Sequence, residues 1–69
     1  MLNTRLLKSM MVKYGDTQSS LAEALGLSVS RLNAKINESA GAMFNQAEIA
    51  FIISRYSLTT EEASKIFFA

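Results

Sequence analysis

The chain has 69 residues, enough for a single domain with one modest core, and its formal net charge is only +1. It contains no cysteine and no histidine, which excludes disulfides, thiolate metal sites and the commonest general base. No apolar run has the length of a signal peptide or of a membrane-spanning helix. We therefore expect a soluble cytoplasmic protein, one domain over residues 1–69, that is not an enzyme and uses no cofactor or metal.

A first helix is predicted over residues 3–14. Asn3 or Thr4 can accept hydrogen bonds from its first N–H groups, and Gly15 can end it in a left-handed conformation. Its apolar residues recur at helical spacing: three lie along one line of the helix surface, and two more lie beside that line. The line is Leu6, Met10 and Tyr14, and the neighbours are Leu7 and Met11.

The next two predicted helices are separated by a turn at Gly26, a residue that suits a position with positive φ. Asp16 or Thr17 can cap the second helix, and Ser28 the third. Two helices that meet at a steep angle over a three-residue turn need a small residue where they come closest, and apolar residues on the faces that contact each other. The inner faces are predicted to be Leu21, Ala22 and Leu25 on the second helix and Val29, Leu32 and Ile36 on the third.

Two further helices are predicted after a looser link at residues 38–44. The fourth covers residues 45–56, and the fifth opens at Thr59, where Thr59 and Glu62 have the spacing of a capping box. Both carry an apolar face at helical spacing. The faces are Ile49, Ile52, Ile53 and Tyr56 on the fourth helix and Leu58, Ala63, Ile66 and Phe67 around the fifth.

Charge is distributed unevenly between the two halves of the chain. Residues 1–37 hold five basic and two acidic side chains, a net charge of +3, whereas residues 38–69 hold two basic and four acidic ones, a net charge of −2. This asymmetry favours an N-terminal half that faces an anion such as nucleic acid. An ordinary solvated surface is the alternative explanation.

The segment from Thr17 to Asn37 has the pattern TQxxLAxxLGLSxSRLxxKIN. It resembles the helix-turn-helix of the phage repressor and Cro family, often called the XRE family. The resemblance implies an all-α, lambda-repressor-like DNA-binding domain of five short helices, in which the second and third form the helix-turn-helix. It also implies a Cro-like or repressor-like transcription regulator of a phage or prophage, acting in the bacterial cytoplasm.

Two features depart from the usual pattern of that family. The third helix ends in Ile36, Asn37 and Glu38, and a carboxylate there would repel phosphate, so we expect the chain after Asn37 to turn away from DNA. The low net charge predicts weak non-specific binding that falls steeply with salt, because such binding depends on neutralising phosphates.

The third helix, about residues 28–37, is expected to enter the major groove with its N-terminal residues nearest the base edges. With Leu32 facing inward, steps of about 100° per residue direct Ser30 and Asn37 to the opposite side. Ser30 and Arg31 are the leading candidates for base recognition, and Arg31 has the geometry to pair with a guanine. The complete predicted DNA-contacting set is Gln18, Ser28, Ser30, Arg31, Asn33, Lys35 and Asn37.

Phosphate contacts are expected from other positions. The family resemblance assigns Gln18 to a phosphate at the start of the second helix, where free N–H groups and the helix dipole favour an anion. Lys35 and Asn37 are predicted to close the far side, and Asn33 to reach an adenine or a phosphate.

The resemblance further implies a homodimer on double-stranded DNA with a palindromic operator. Phe68 is the predicted interface residue, because Ile66 and Phe67 already fit the inward face of the fifth helix and the core has limited room. Alternatively, the large apolar residues of the C-terminal half, Phe68 included, complete the core. The competing function is a protein-interaction module, antirepressor-like or antitoxin-like, which would not depend on Arg31 or Gln18.

Overall fold

The computed structural model of the protein describes residues 1–68. Five α-helices and no strand lie in this range: α1 (Thr4–Lys13), α2 (Gln18–Leu25), α3 (Val29–Asn37), α4 (Gln46–Arg55) and α5 (Thr60–Phe67). A short 3₁₀ turn at Ser39–Gly41 follows α3. The prediction of an all-helical protein with five short helices is confirmed.

Each helix begins at a short polar residue whose side chain accepts a hydrogen bond from the first turn. Asn3 caps α1, Thr17 caps α2 and Ser28 caps α3. The capping box predicted from Thr59 and Glu62 is present at the start of α5, and α4 has one of the same kind. These local bonds explain why the helix starts are readable from the sequence.

A tight turn joins α2 to α3. Gly26 ends α2 with φ of 73° and ψ of 28°, the left-handed conformation expected of a glycine at this position, and Ser28 already caps α3. The chain therefore reverses its course within residues 26–28, and α2 packs against α3. The small side chain of Ala22, 1% exposed, lies in this contact region together with Leu21 and Leu32.

The core draws side chains from every helix. Leu7, Leu21, Leu32, Ile52 and Ile66 are fully buried, one from each of α1 to α5. Burial of a side chain of this size stabilises the folded state by about 1.5–3 kcal/mol. The remaining buried apolar residues are Met11, Ala22, Ile36, Tyr56, Leu58, Ala63 and Phe67.

The N-terminal residues join α1 to two other helices. The backbone N–H of Asn3 donates to the carbonyl of Ile66 in α5 at 2.7 Å, and the Thr4 hydroxyl donates to the carbonyl of Ile36 in α3 at 3.1 Å. α1 also packs against α5. The end of α3 is thus tied to the first turn of α1.

Two details of the predicted apolar faces are wrong. The buried line of α1 is Leu7 and Met11, while Tyr14 is 46% exposed and stacks on Tyr56 with ring centroids 5.3 Å apart. Val29 is 40% exposed, not buried. It is the first residue of α3 and its side chain leans toward the helix start, so it lies at the edge of the α2–α3 contact.

No helix within residues 1–68 combines the length and the apolar character that crossing a lipid bilayer requires.

Candidate nucleic-acid interface

One side of α3 presents polar side chains to solvent. Ser30, Arg31 and Asn37 are exposed and Asn33 is half-buried, whereas Leu32 and Ile36 on the opposite side are buried. Burial therefore separates the polar side of α3 from its core side, as helical geometry requires.

The cap of α3 keeps its first turn in shape. The backbone N–H of Arg31 donates to the Ser28 hydroxyl oxygen at 3.0 Å. Ser28 itself is exposed, so its hydroxyl proton remains available to a group outside the protein. The Arg31 side chain makes no hydrogen bond or ion pair within the part of the chain that the structure describes. Its guanidinium is accessible to a ligand.

Lys35 does not lie where a phosphate contact would need it. Lys35 is 6% exposed, and its ammonium Nζ donates to Glu48 Oε1 at 2.7 Å. The side chain is committed to α4, because removing it from this pair would leave a buried carboxylate without its partner. We therefore remove Lys35 from the predicted DNA-contacting set.

Glu48 contacts both the start of α4 and the last turn of α3 through one oxygen. Its Oε1 accepts from the backbone N–H of Asn45 at 2.9 Å as well as from Lys35. Burial by itself would raise the pKa of Glu48, but the hydrogen bonds from Lys35 and Asn45, with the positive charges of Lys35 and Arg31, bring that pKa below its usual value. Glu48 is therefore ionised at neutral pH.

The start of α2 forms the second part of the candidate surface. Thr17 and Ser20 cap it reciprocally: the Ser20 N–H donates to the Thr17 hydroxyl oxygen, and the Thr17 N–H donates to the Ser20 hydroxyl oxygen. The backbone N–H groups of Gln18 and Ser19 precede the first bonds within the helix, and neither donates to another group of residues 1–68. Gln18 itself is half-buried.

Asp16, directly before that helix, carries a negative charge that the fold neutralises. Arg55 donates through Nε to Oδ2 at 2.7 Å and through a terminal nitrogen to Oδ1 at 2.8 Å. The Tyr56 hydroxyl donates to Oδ2 at 2.6 Å and the Ser20 hydroxyl to Oδ1 at 2.7 Å. Because Arg55 pairs with this carboxylate, Asp16 opposes an anion at the start of α2 far less than a free carboxylate would.

These hydrogen bonds shift the pKa values of Asp16 and Tyr56 in opposite directions. The hydrogen bond from Arg55, with those from Tyr56 and Ser20, holds the pKa of Asp16 well below its usual range. Burial and the hydrogen bond to Asp16 raise the pKa of Tyr56 well above its usual value. The cluster therefore keeps a charged carboxylate and a neutral phenol throughout the physiological range.

The two internal ion pairs leave the surface charge asymmetric. Each joins one residue of the 1–37 segment to one of the 38–69 segment, Lys35 to Glu48 and Asp16 to Arg55. With these four charges paired, the remaining charges still sum to +3 in the first segment and −2 in the second. The positive excess therefore belongs to solvated side chains: Arg5, Lys8, Lys13 and Arg31 are all exposed.

Glu38 ends α3 in the left-handed conformation, with φ of 54°. Its carboxylate oxygen lies 3.5 Å from the backbone N–H of Leu2. The side chain is thus directed toward the N-terminal residues of the chain, and the segment that follows turns through Ala40 and Gly41, both with positive φ.

An apolar groove lies on another part of the molecule, between α4 and α5. It encloses about 290 Å³, and Phe68, 65% exposed, stands at its edge. Ile53, Leu58 and Ala63 provide its apolar walls. Phe67 points the other way, is 8% exposed and meets Phe44 edge to face with ring centroids 6.3 Å apart.

The two internal ion pairs, Lys35–Glu48 and Asp16–Arg55, were not predicted from the sequence. The partners are 13 and 39 residues apart, so no local pattern joins them. A weak signal existed for Lys35, which lies only about 60° from Leu32 around the helix. Within residues 1–68, no three acidic side chains come together as a metal site would need.

Comparison with known proteins returned no protein-family model, no curated protein and no solved structure that matches this chain. The features that bear on function are the α2–α3 pair and the side chains it exposes.

Proposed function

We propose that this protein binds double-stranded DNA in a sequence-specific manner through a helix-turn-helix of the lambda-repressor type, with α2 and α3 as its two helices. α3 is the recognition helix, and the protein acts as a Cro-like or repressor-like transcription regulator of a phage or prophage in the bacterial cytoplasm. The observation that carries the proposal is the exposed polar side of α3, led by Arg31, beside the unpaired N–H groups that begin α2.

Each candidate residue then has a defined part in the complex. Arg31 and Ser30, in the first turn of α3, read base edges, and Asn33 supports them from the flank. Gln18 and the free N–H groups at the start of α2 bind a backbone phosphate. Asn37 and the Ser28 hydroxyl contact the backbone at the two ends of α3.

The direct test is selection from a random duplex library, with sequencing of the bound fraction at several salt concentrations. We expect an enriched inverted repeat whose half-sites are about one helical turn apart. The affinity should fall with increasing salt, because each phosphate that the protein neutralises releases counterions. If the folded protein enriches no sequence at low salt, the proposal is wrong.

A homodimer is part of the proposal, because a single domain of this size reads a short site and each base contact discriminates by only about 1–3 kcal/mol. Phe68 beside the α4–α5 groove offers a self-complementary surface, in which the ring of each copy enters the groove of the other. The same groove is the observation that favours the second candidate, a protein-interaction module of the antirepressor or antitoxin kind. Arg31→Ala separates the two, since it impairs only DNA binding.

A further inference from the structure

The two charged contacts of α4 fall at its opposite ends. Glu48 is in the first turn of α4 and holds Lys35 of α3, whereas Arg55 is its last residue and holds Asp16 at the start of α2. The two residues are separated by about 10 Å along the helix axis, at 1.5 Å per residue. α4 thus spans from one member of the α2–α3 pair to the other.

The Lys35–Glu48 contact is the more buried of the two. The side chains of Lys35 and Glu48 are 7% and 12% exposed, whereas that of Arg55 is 32% exposed. A buried ion pair adds little net stability, because desolvation of both charges offsets their attraction. Its geometry is nevertheless strict, since either charge left alone in that site is costly. Such a pair fixes orientation more than it stabilises.

We propose that Glu48 is a positioning residue for DNA recognition: by holding Lys35 it sets the orientation of α3 relative to α2, with α4 anchored at its other end by Arg55. The inference rests on the proposed DNA-binding function. The positive charge of Arg31 also attracts the Glu48 carboxylate, but the two side chains form no ion pair. Glu48 itself touches no DNA.

Glu48→Gln tests this role cleanly. A glutamine keeps the capping box of α4, because its side-chain oxygen still accepts from the Asn45 N–H. The variant gains one unit of positive charge and frees the Lys35 ammonium from its ion pair. Electrostatics alone would therefore strengthen DNA binding, whereas loss of positioning weakens it. The control is Glu61→Gln on α5, which removes the same charge from an exposed site far from Lys35.

We expect Glu48→Gln to weaken binding to the selected operator by about tenfold, the equivalent of one base contact. The preference among single-base operator variants should also flatten, at a temperature where circular dichroism shows the protein folded. Glu61→Gln should bind as well as the parent protein or slightly more tightly. If Glu48→Gln behaves like Glu61→Gln, the proposal is wrong.

A second variant separates positioning from stability. Lys35→Met with Glu48→Gln removes the buried charge and leaves the net charge at +1. We expect the melting temperature to recover while the flattened base preference persists. If the melting temperature and the base preference both recover, the proposal is wrong, because Glu48 would then act only through stability.

One measurement does not depend on DNA. Residual dipolar couplings of backbone N–H vectors report the orientation of α3 relative to α2, and we expect them to change in Glu48→Gln. Unchanged couplings would overturn the positioning role even if the parent protein binds no DNA. If the parent protein binds no DNA but α3 is reoriented in Glu48→Gln, only the proposed function is wrong, and the positioning of α3 by Glu48 stands.

Discussion

Arg31 is exposed and Gln18 is half-buried, and the two side chains differ in their chemistry. Arg31 presents a planar guanidinium with several donors, which discriminates a guanine from other bases. Gln18 stands at a helix start, where the phosphate backbone offers the same anion at every position. Loss of the first should therefore change sequence preference, and loss of the second should not.

Arg31→Ala is expected to cost about 1–3 kcal/mol on the selected operator and to relax the preference at one base position. The fold should not change, because the capping bond to Ser28 uses the Arg31 backbone. Binding energies measured across single-base operator variants check this result. Lys65→Ala, which removes an equal charge from exposed α5, is the control. An unchanged preference would exclude Arg31 as a base reader.

Gln18→Ala is expected to weaken all duplexes by a similar factor, because a phosphate contact carries no sequence information. The measurement is a fluorescence anisotropy titration of the operator and of an unrelated duplex at the same salt concentration. A loss confined to the operator would contradict the phosphate role of Gln18.

Asp16 gives the stability of the protein a defined pH dependence. Arg55, Tyr56 and Ser20 hold its pKa well below the unfolded value of about 4, so the unfolded state takes up protons first on acidification. The stabilisation is complete above about pH 5 and decreases as the pH falls toward the folded-state pKa. Glu48, whose pKa is also lowered, contributes in the same direction.

Asp16→Asn should lower the unfolding free energy at pH 7 by about 1–3 kcal/mol, because charge-assisted hydrogen bonds are lost from a side chain that is only 8% exposed. The decline in stability between pH 5 and about pH 2 should become shallower at the same time. Urea unfolding at a series of pH values measures both effects. Glu23→Gln, on an exposed side chain, is the control and should leave the curve unchanged. An equally steep acid decline in Asp16→Asn would contradict the role assigned to the cluster.

At the scale of elements, the turn between α2 and α3 depends on the backbone conformation of Gly26. Gly26 has φ of 73°, and a Cβ built there would meet no atom within 4 Å. The cost of a side chain at this position is therefore conformational and not steric. Glu38, Ala40 and Ser57 have similar φ values of 54°, 52° and 49° without being glycine, so within residues 1–68 the chain accepts this strain at three positions outside the α2–α3 turn.

Gly26→Ala should lower the unfolding free energy by about 1 kcal/mol, the cost of a left-handed conformation with a Cβ. For a domain of this size that corresponds to a decrease in melting temperature of about 4–8 °C. Differential scanning calorimetry provides the measurement. Ala40→Gly relieves the same strain at another position and should not lower the melting temperature. A Gly26→Ala variant as stable as its parent would contradict the left-handed corner.

At the scale of the whole molecule, the net positive charge and the α4–α5 groove belong to different segments of the chain. The solvated positive charges of residues 1–37 lie on α1 and α3, and the groove with exposed Phe68 lies in the C-terminal segment. Under the proposed function, the first segment faces DNA and the groove is left for a second copy of the protein.

Phe68→Ser should reduce self-association without loss of the fold, because the ring is 65% exposed and leaves no cavity when removed. Sedimentation equilibrium over a range of concentrations measures the change, with an expected shift from dimer toward monomer. Val12→Ser is the matched control, since Val12 is 78% exposed on α1, outside the groove. Equal self-association in parent and Phe68→Ser would remove Phe68 from the interface.

The sequence by itself determined the local features of this protein. The helix starts follow from short polar caps such as Thr59, the left-handed corner from Gly26, and most core positions from apolar spacing, because each of these depends on residues within one or two turns. Only the tertiary structure decided which charges are used inside the fold. Lys35 and Asp16 find their partners 13 and 39 residues away, and Val29 is exposed because no neighbouring element covers the start of α3. The partners of charged residues and the burial of a helix end depend on how the helices pack. A periodic pattern along one helix carries no information on which residues face it from another helix.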